Sequence, residues 1–227
     1  MSSAPAQRGL SLVTRGAALL ARVVARAVTR VDVHFEAEPP RSGSLIVVAN
    51  HLSNADPPLV YGWLTPALGR RLHILAKEAL FVGPIGWFLR RQGVTPVRSG
   101  GSDMEAYRIA KAVLDREDVL CIFPEGTRSA TGVMQDPRPG VAMLATRSGV
   151  PILPVGISGT DRFLGRGKKL PRIGTRVKVR VGQPFILTLD ADLPRREAMN
   201  RASDELMRHI ADLVDERHRG RFDRRVV

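Results

Sequence analysis

The chain has 227 residues, 44% of them hydrophobic, enough for one domain with a sizeable core. Its formal charge of +13 points to anionic partners: nucleic acid, an anionic lipid surface or an acidic carrier. Aromatics make up only 5% and never alternate with basic residues along a strand, which argues against a single-stranded nucleic-acid platform, and the single cysteine, Cys121, excludes an intrachain disulfide.

Residues 1–8 are small and polar, the composition of a disordered segment. From Gly9 to Val31 the pattern is helical. Arg15, Arg22, Arg26 and Arg30 share one face, and Leu12, Leu19, Leu20, Val23, Val24, Ala27 and Val31 fill much of the rest. Such a helix either lies in the headgroup plane of a membrane or packs on the domain. Arginine without an acid before Asp32 also leaves an import peptide open. No run approaches the ~18 apolar residues that span a bilayer. Arg15, Arg22 and Arg26 interrupt the N-terminal apolar stretch, against a secretory signal. The expectation is a peripheral protein on the cytoplasmic side of a membrane, with residues 1–34 as the interfacial segment and 35–227 as the main domain.

Val31 to Glu36 reads as a short strand and Pro39 to Gly43 as a turn. Leu45 to Ala49 is an unbroken apolar run, a buried strand. Asn50-His51-Leu52-Ser53-Asn54-Ala55-Asp56-Pro57 follows, with Asp56-Pro57 as the cap and first turn of a helix that continues from Pro58 to Leu68. His51 therefore stands where a strand ends and a helix begins, the edge at which open α/β sheets bind ligands. A carboxylate five residues on, folded back across that turn, fixes the imidazole tautomer and leaves the other nitrogen as a base. Taken alone, the pair reads more readily as a helix cap beside a polar strand end.

Leu72 to Ala76 is a second core strand, delivering Lys77 to the same edge. Ala79 to Leu89 is strongly apolar and ends in Arg90-Arg91; core packing is the default, and a lipid- or acyl-facing patch the alternative. Val94 to Val97 is a strand ending at Arg98, followed by a capping-box pattern, Ser102 to Glu105, and a helix from Tyr107 to Arg116. Val119 to Phe123 is a strand that delivers Glu125-Gly126-Thr127-Arg128. Gly126 allows close backbone approach to a ligand, and Arg128 offers a planar fork for phosphate oxygens. Glu125 is expected to orient Arg128 or to hold the glycerol of an acceptor. After a loop to Gly140 come a helix, Val141 to Arg147, and a strand, Ile152 to Gly156, whose Pro151 and Pro154 suggest a sheet edge or irregular ends. A basic loop follows, Arg162 to Lys169, then a half-exposed strand, Val177 to Val181. A last helix buries Met199, Ala202, Leu206, Ile210 and Leu213, and the tail from Glu216 is expected to fray.

Four blocks in order, the His51/Asp56 stretch, Gly93 to Arg98, Phe123-Pro124-Glu125-Gly126-Thr127-Arg128-Ser129 and Val150 to Val155, resemble the glycerophospholipid acyltransferase family, whose type member is 1-acylglycerol-3-phosphate acyltransferase. The likeness covers roughly residues 30–215. It implies acyl transfer from acyl-CoA or acyl-carrier protein to the free hydroxyl of a lysophospholipid, with His51 as base and Asp56 orienting it. It also implies that Arg98 and Arg128 hold the acceptor's phosphate, with Glu125, Gly126, Thr127 and Lys77 at the substrate. Relatives often carry a Lys before the glycine at 140; here Arg138 and Pro139 precede it, and Arg138 is a candidate replacement. No resident cofactor or metal is expected, since His34, His51, His73, His209 and His218 have no ligand spacing. A different lyso-acceptor, or a basic membrane- or nucleic-acid-binding protein with an inactive site, are the rival readings. The fold expected is a single α/β domain: a mostly parallel or mixed sheet flanked by helices, preceded by the amphipathic helix.

Overall fold

A computed structural model describes residues 9–98 and 103–226. The expected disorder of residues 1–8 and the capping role of Ser102 lie outside the described residues. The elements are α1 (Leu12–Val28), β1 (Thr29–Phe35), β2 (Leu45–Ala49), α2 (Asp56–Leu68), β3 (Leu72–Lys77), α3 (Gly83–Arg91), β4 (Val94–Val97) and α4 (Asp103–Leu114). They continue with β5 (Val119–Ile122), α5 (Pro139–Ser148), β6 (Ile152–Ser158), α6 (Thr160–Leu164), β7 (Thr175–Val181), α7 (Arg195–Ala211) and α8 (Glu216–Arg219). Short 3-10 turns at Glu78–Leu80, Gly220–Phe222 and Arg224–Val226 complete the set.

Seven strands form one sheet in the order β1-β7-β6-β2-β5-β3-β4. All neighbours are parallel except β6 and β7. β2 is buried along its whole length because helices cover both faces, which is why it reads as a continuous apolar run rather than an alternating one. Leu45, Val47 and Ala49 face α2, with Leu59, Leu64 and Leu68. Ile46 and Val48 face the opposite layer of α4, α5 and α7, with Val113, Ala145 and Leu206. The chain leaves β2, passes over the place of β5 to form β3 and β4, and only then returns to fill that place. The carboxyl ends of β2 and β5 thus lie side by side at a switch in strand order, where a crevice opens.

Several expectations need correction. α1 stops at Val28, so Arg30 and Val31 belong to β1, not to the helix; Thr29 ends the helix by donating from its hydroxyl to the Ala25 carbonyl and pairs with Thr175 of β7. β6 is central, not an edge strand. Its Pro154 is tolerated because Ile152 N–H on the same side points to Phe185, so the missing donor of Pro154 falls on the β7 side, where the antiparallel ladder ends with Gly182 N–H donating to the Pro154 carbonyl. The stretch 79–91 is not a core segment: Phe81 and Gly86 are buried, but Leu80, Val82, Ile85 and Trp87 are more than half exposed. The tail does not fray at Glu216. α8 and the turn after it bury His218 and Phe222 against the main core.

Candidate active site

The Asn50–Asp56 turn is built from its own side chains. Asn50 extends β2 sideways: its amide donates to the Ile157 carbonyl at 2.9 Å and accepts from Ile157 N–H at 2.7 Å, imitating one more ladder pair with β6. His51 then leaves the sheet. Asp56, at 0% exposure, reaches back, and its Oδ2 accepts from Leu52 N–H at 2.6 Å and Ser53 N–H at 2.7 Å. The same oxygen meets His51 Nδ1 at 2.9 Å. That oxygen accepts from two main-chain donors, so Nδ1 is the donor towards it, and the neutral imidazole is fixed with Nε2 as its free acceptor. The ring is stacked on Phe123 at 4.4 Å, which sets its plane.

Glu125, 4% exposed, fastens the second loop to the first. Its Oε1 accepts from His51 N–H at 2.8 Å, and Oε2 accepts from Gln135 N–H at 2.9 Å and Gln135 Nε2 at 3.3 Å. Burial raises its pKa above the ordinary carboxylate range, opposed by those hydrogen bonds from His51 and Gln135. Its carboxylate is thus engaged on His51 and Gln135 and does not orient Arg128. The return bond runs from Ser129 N–H to the His51 carbonyl at 2.8 Å, so His51 is tied to the 125–129 loop through both its main-chain groups.

Gly126 has φ +69°, and a β-carbon there would collide with Arg138, whose guanidinium lies over the glycine. Thr127 and Arg128 are half-buried beyond it. Gln135 Nε2 also donates to the Thr127 carbonyl at 3.3 Å, and Arg166 from the basic loop donates to the Arg128 carbonyl at 3.2 Å. The Arg128 guanidinium has no carboxylate partner among the described residues. The expected loop from Arg162 to Lys169 is helical at its start, because α6 runs to Leu164, and the segment is anchored on the other side as well, by Ser53 Oγ donating to the Leu164 carbonyl at 2.7 Å.

The family model described as Acyltransferase matches residues 30–158, more than half of the chain. The chain belongs to the Acyltransferase family. A chloroplastic 1-acyl-sn-glycerol-3-phosphate acyltransferase of Brassica napus is 28% identical over 171 residues, covering 74% of this chain and 48% of that protein. The alpha 1-acyl-sn-glycerol-3-phosphate acyltransferase of Bos taurus is 30% identical over 158 residues, 68% of this chain and 54% of its own. The chain spans about half the length of these curated relatives. The crystal structure of the 1-acyl-sn-glycerophosphate acyltransferase PlsC from Thermotoga maritima superposes with a TM-score of 0.68 at 26% identity, covering 85% of this chain and 76% of that one.

Within this Acyltransferase fold, His51 is in direct contact with both Asp56 and Glu125, and Gly126, Thr127 and Arg128 continue the loop of Glu125. Lys77 and Arg98 stand further off. They end β3 and β4, two and three strands from β2, or about 10 and 14 Å at the usual strand spacing. Both are exposed, and Arg98 Nε lies 4.0 Å from Glu78. Asn50, Phe123 and Gln135 organise the Acyltransferase site without having been picked out from the sequence. Asn50 and Phe123 adjoin motif residues and were within reach of a closer reading; Gln135 is a lone polar residue in a loop, with no periodicity to mark it.

Proposed function

We propose that the chain transfers a fatty acyl group from acyl-CoA or acyl-carrier protein to the free hydroxyl of 1-acylglycerol-3-phosphate, forming phosphatidic acid. The observation that carries the reading is the His51–Asp56 contact at 2.9 Å, with Asp56 sealed and the imidazole side chain 16% exposed. In this reading His51 Nε2 takes the hydroxyl proton as the oxygen attacks the thioester carbonyl. The tetrahedral intermediate then expels the thiolate, which receives that proton from the imidazolium. The base contributes about 10²–10⁴-fold of the rate. Arg128 holds the acceptor's phosphate with Arg138 beside it, and Thr127 and Gly126 line the acceptor. Lys77 and Arg98 add positive charge along the strand ends, acting at longer range on an anionic substrate. Glu125 works as a brace for His51. The step as written uses no resident cofactor.

We further infer that the protein lies peripherally on an anionic membrane, on the cytoplasmic side, with the outer face of α1 at the lipid interface and the sheet domain, which takes in residues 29–34 as part of β1, carrying the chemistry. Among the described residues no helix is long and apolar enough to cross a membrane. Two apolar surfaces support contact with lipid. One is the outer face of α1; the other is Leu80, Val82, Ile85 and Trp87 around α3, where Arg90 and Arg91 sit over the Phe81 and Trp87 rings at 5.1 and 5.5 Å. The second begins directly after Lys77, at the strand-end edge, so an acyl chain in the bilayer has a short path to the crevice.

The test is acyl transfer by purified protein in vesicles, with labelled acyl-CoA and acyl-carrier protein and a panel of lyso-acceptors, wild type beside His51→Ala. Transfer to lysophosphatidic acid that drops by at least about a hundredfold in the variant supports the reading. Activity only on another acceptor keeps His51 as base and replaces the substrate. Folded wild type inert with both donors and all acceptors refutes it.

A further inference from the structure

α1 buries its small side chains and exposes its large ones. Thr14 and Ala18 are covered by α2, and at Gly62 of α2 an added β-carbon would stand 3.3 Å from both Ala21 Cβ and Arg22 Cγ. Leu12, Leu19, Leu20, Val23 and Val24 are all at least half exposed, Leu12 by 84%. At about 100° per residue these five fall on one continuous arc, and Arg15, Arg22 and Arg26 form its border on one side. An ordinary surface helix has the opposite arrangement.

Along that border, where the first half of α1 meets the end of α2, lies a crevice of about 490 Å³. Its walls include Leu10, Leu19 and Pro66, and its cations are Arg15 and Arg22. The stem of Arg22 is clamped at Gly62, and its Nε is buried with no hydrogen-bond partner. Neither arginine has a carboxylate partner among the described residues, and the first turn of α1 holds no acid. Pro66 is ten residues beyond Asp56 in α2, about 15 Å along the helix, so the crevice is separate from His51.

We propose that this crevice is a seat for the phosphate of an anionic phospholipid, whose acyl chains run along the exposed arc of α1. The proposal rests on the reading of α1 as a membrane-contacting helix and gives it a specific lipid site. Two guanidiniums supply the charge and the fork geometry that phosphate oxygens need. The walls are apolar, so the seat excludes water around the phosphate, and the adjoining leucines and valines accept the chains. A free phosphate ester has the same headgroup chemistry but nothing to cover the arc.

The experiment measures partitioning of the full chain onto phosphatidylcholine vesicles, with and without a minor fraction of phosphatidylglycerol. Wild type is compared with Arg15→Gln/Arg22→Gln and with a matched control, Arg26→Gln/Arg30→Gln, after thermal melts show all three folded. General attraction to an anionic surface changes partitioning about fivefold per arginine, hence about 25-fold for either pair. A built seat makes the Arg15/Arg22 pair lose at least about tenfold more than the control, with binding to pure phosphatidylcholine unchanged. Equal losses overturn the seat and leave diffuse attraction. If wild type binds neither vesicle, the membrane reading itself has failed. The seat is then decided by titrating water-soluble dihexanoyl phosphatidylglycerol: saturable binding absent from Arg15→Gln/Arg22→Gln retains it, and no binding overturns it. Glycerol phosphate competing as well as the short-chain lipid would overturn the lipid assignment in favour of a phosphate-ester site.

Discussion

Replacing Asp56 by Asn separates its two roles at His51. Oδ2 carries three contacts: two main-chain N–H groups, at 2.6 and 2.7 Å, and His51 Nδ1 at 2.9 Å. The main-chain donors fix which way an asparagine must face, because its NH₂ cannot sit against Leu52 and Ser53 N–H. The amide oxygen therefore takes the place of Oδ2, and His51 keeps both its acceptor and its tautomer. What disappears is the negative charge. Three charge-assisted hydrogen bonds become neutral ones, a loss of about 1 kcal/mol each. The NH₂ replaces Oδ1, which is buried without a partner, at a cost of about 1–3 kcal/mol. Relief from burying a charge works the other way, so a net loss of about 2–4 kcal/mol is expected in urea unfolding. Turnover should fall about 10²–10³-fold, because the imidazolium formed in the attack is no longer stabilised. Asp56→Ala removes the acceptor as well, frees the ring, and should fall further, to about 10⁴-fold. The assay is steady-state acyl transfer by both variants at a temperature where the urea curves show each to be folded. An asparagine variant at the wild-type rate would falsify the charge argument. Identical losses in the two variants would show that the charge alone matters and that orientation of the ring adds nothing.

Three other outcomes are expected. Gly126→Ala forces a side chain onto φ +69° and into Arg138, so it should destabilise by about 1–2 kcal/mol in thermal unfolding and raise the apparent KM for the acceptor; a neutral result would refute both the backbone strain and the Arg138 contact. Burial depresses the pKa of His218, which its bond to the Gly132 carbonyl opposes and the Arg217 charge reinforces, so the folded state holds fewer protons than the unfolded one as pH falls below the ordinary histidine value. Stability should therefore be complete well above about pH 6.5 and decline as pH falls below it, and His218→Asn should flatten that decline in pH-dependent urea midpoints. Trp87→Ser with Ile85→Ser removes mostly exposed apolar surface and the Arg91 contact on the Trp87 ring, so it should lower the melting temperature by a few degrees at most while weakening vesicle binding about tenfold or more; unchanged partitioning would take α3 off the membrane.

What the sequence revealed and what it hid follow from how each signal is encoded. The β2 run and the Asp56-Pro57 helix start are local patterns, so the turn that joins His51 to Asp56 could be read directly. Sheet order is not local. Nothing in Val94–Val97 tells that β4 is the strand farthest from β2 on that side, so the separation of Arg98 from the His51 turn is not legible in the sequence. In α1, periodicity identified the apolar positions but not which side another helix covers. Ala17, Ala18, Ala21 and Ala25 form a face as regular as the leucines, and close helix approach selects the smaller one. Pro154 misled because a proline is excluded only from the side of a strand where its nitrogen would have to donate. The tail looked polar and charged, yet Phe222 and His218 carry it into the core.

That tail also holds the loop that leads to Gln135. His218 N–H donates to the Asp215 carbonyl, its Nδ1 bonds the Gly132 carbonyl, and its own carbonyl accepts from Met134 N–H at 2.8 Å, one residue before Gln135 grips Glu125. The grip of Gln135 on Glu125 therefore rests, at one remove, on residues 215–218. A chain cut before Asp215 keeps His51, Asp56 and Glu125 but loses the contact that holds the loop before Gln135, so a change nearly a hundred residues away in sequence reaches the brace of His51.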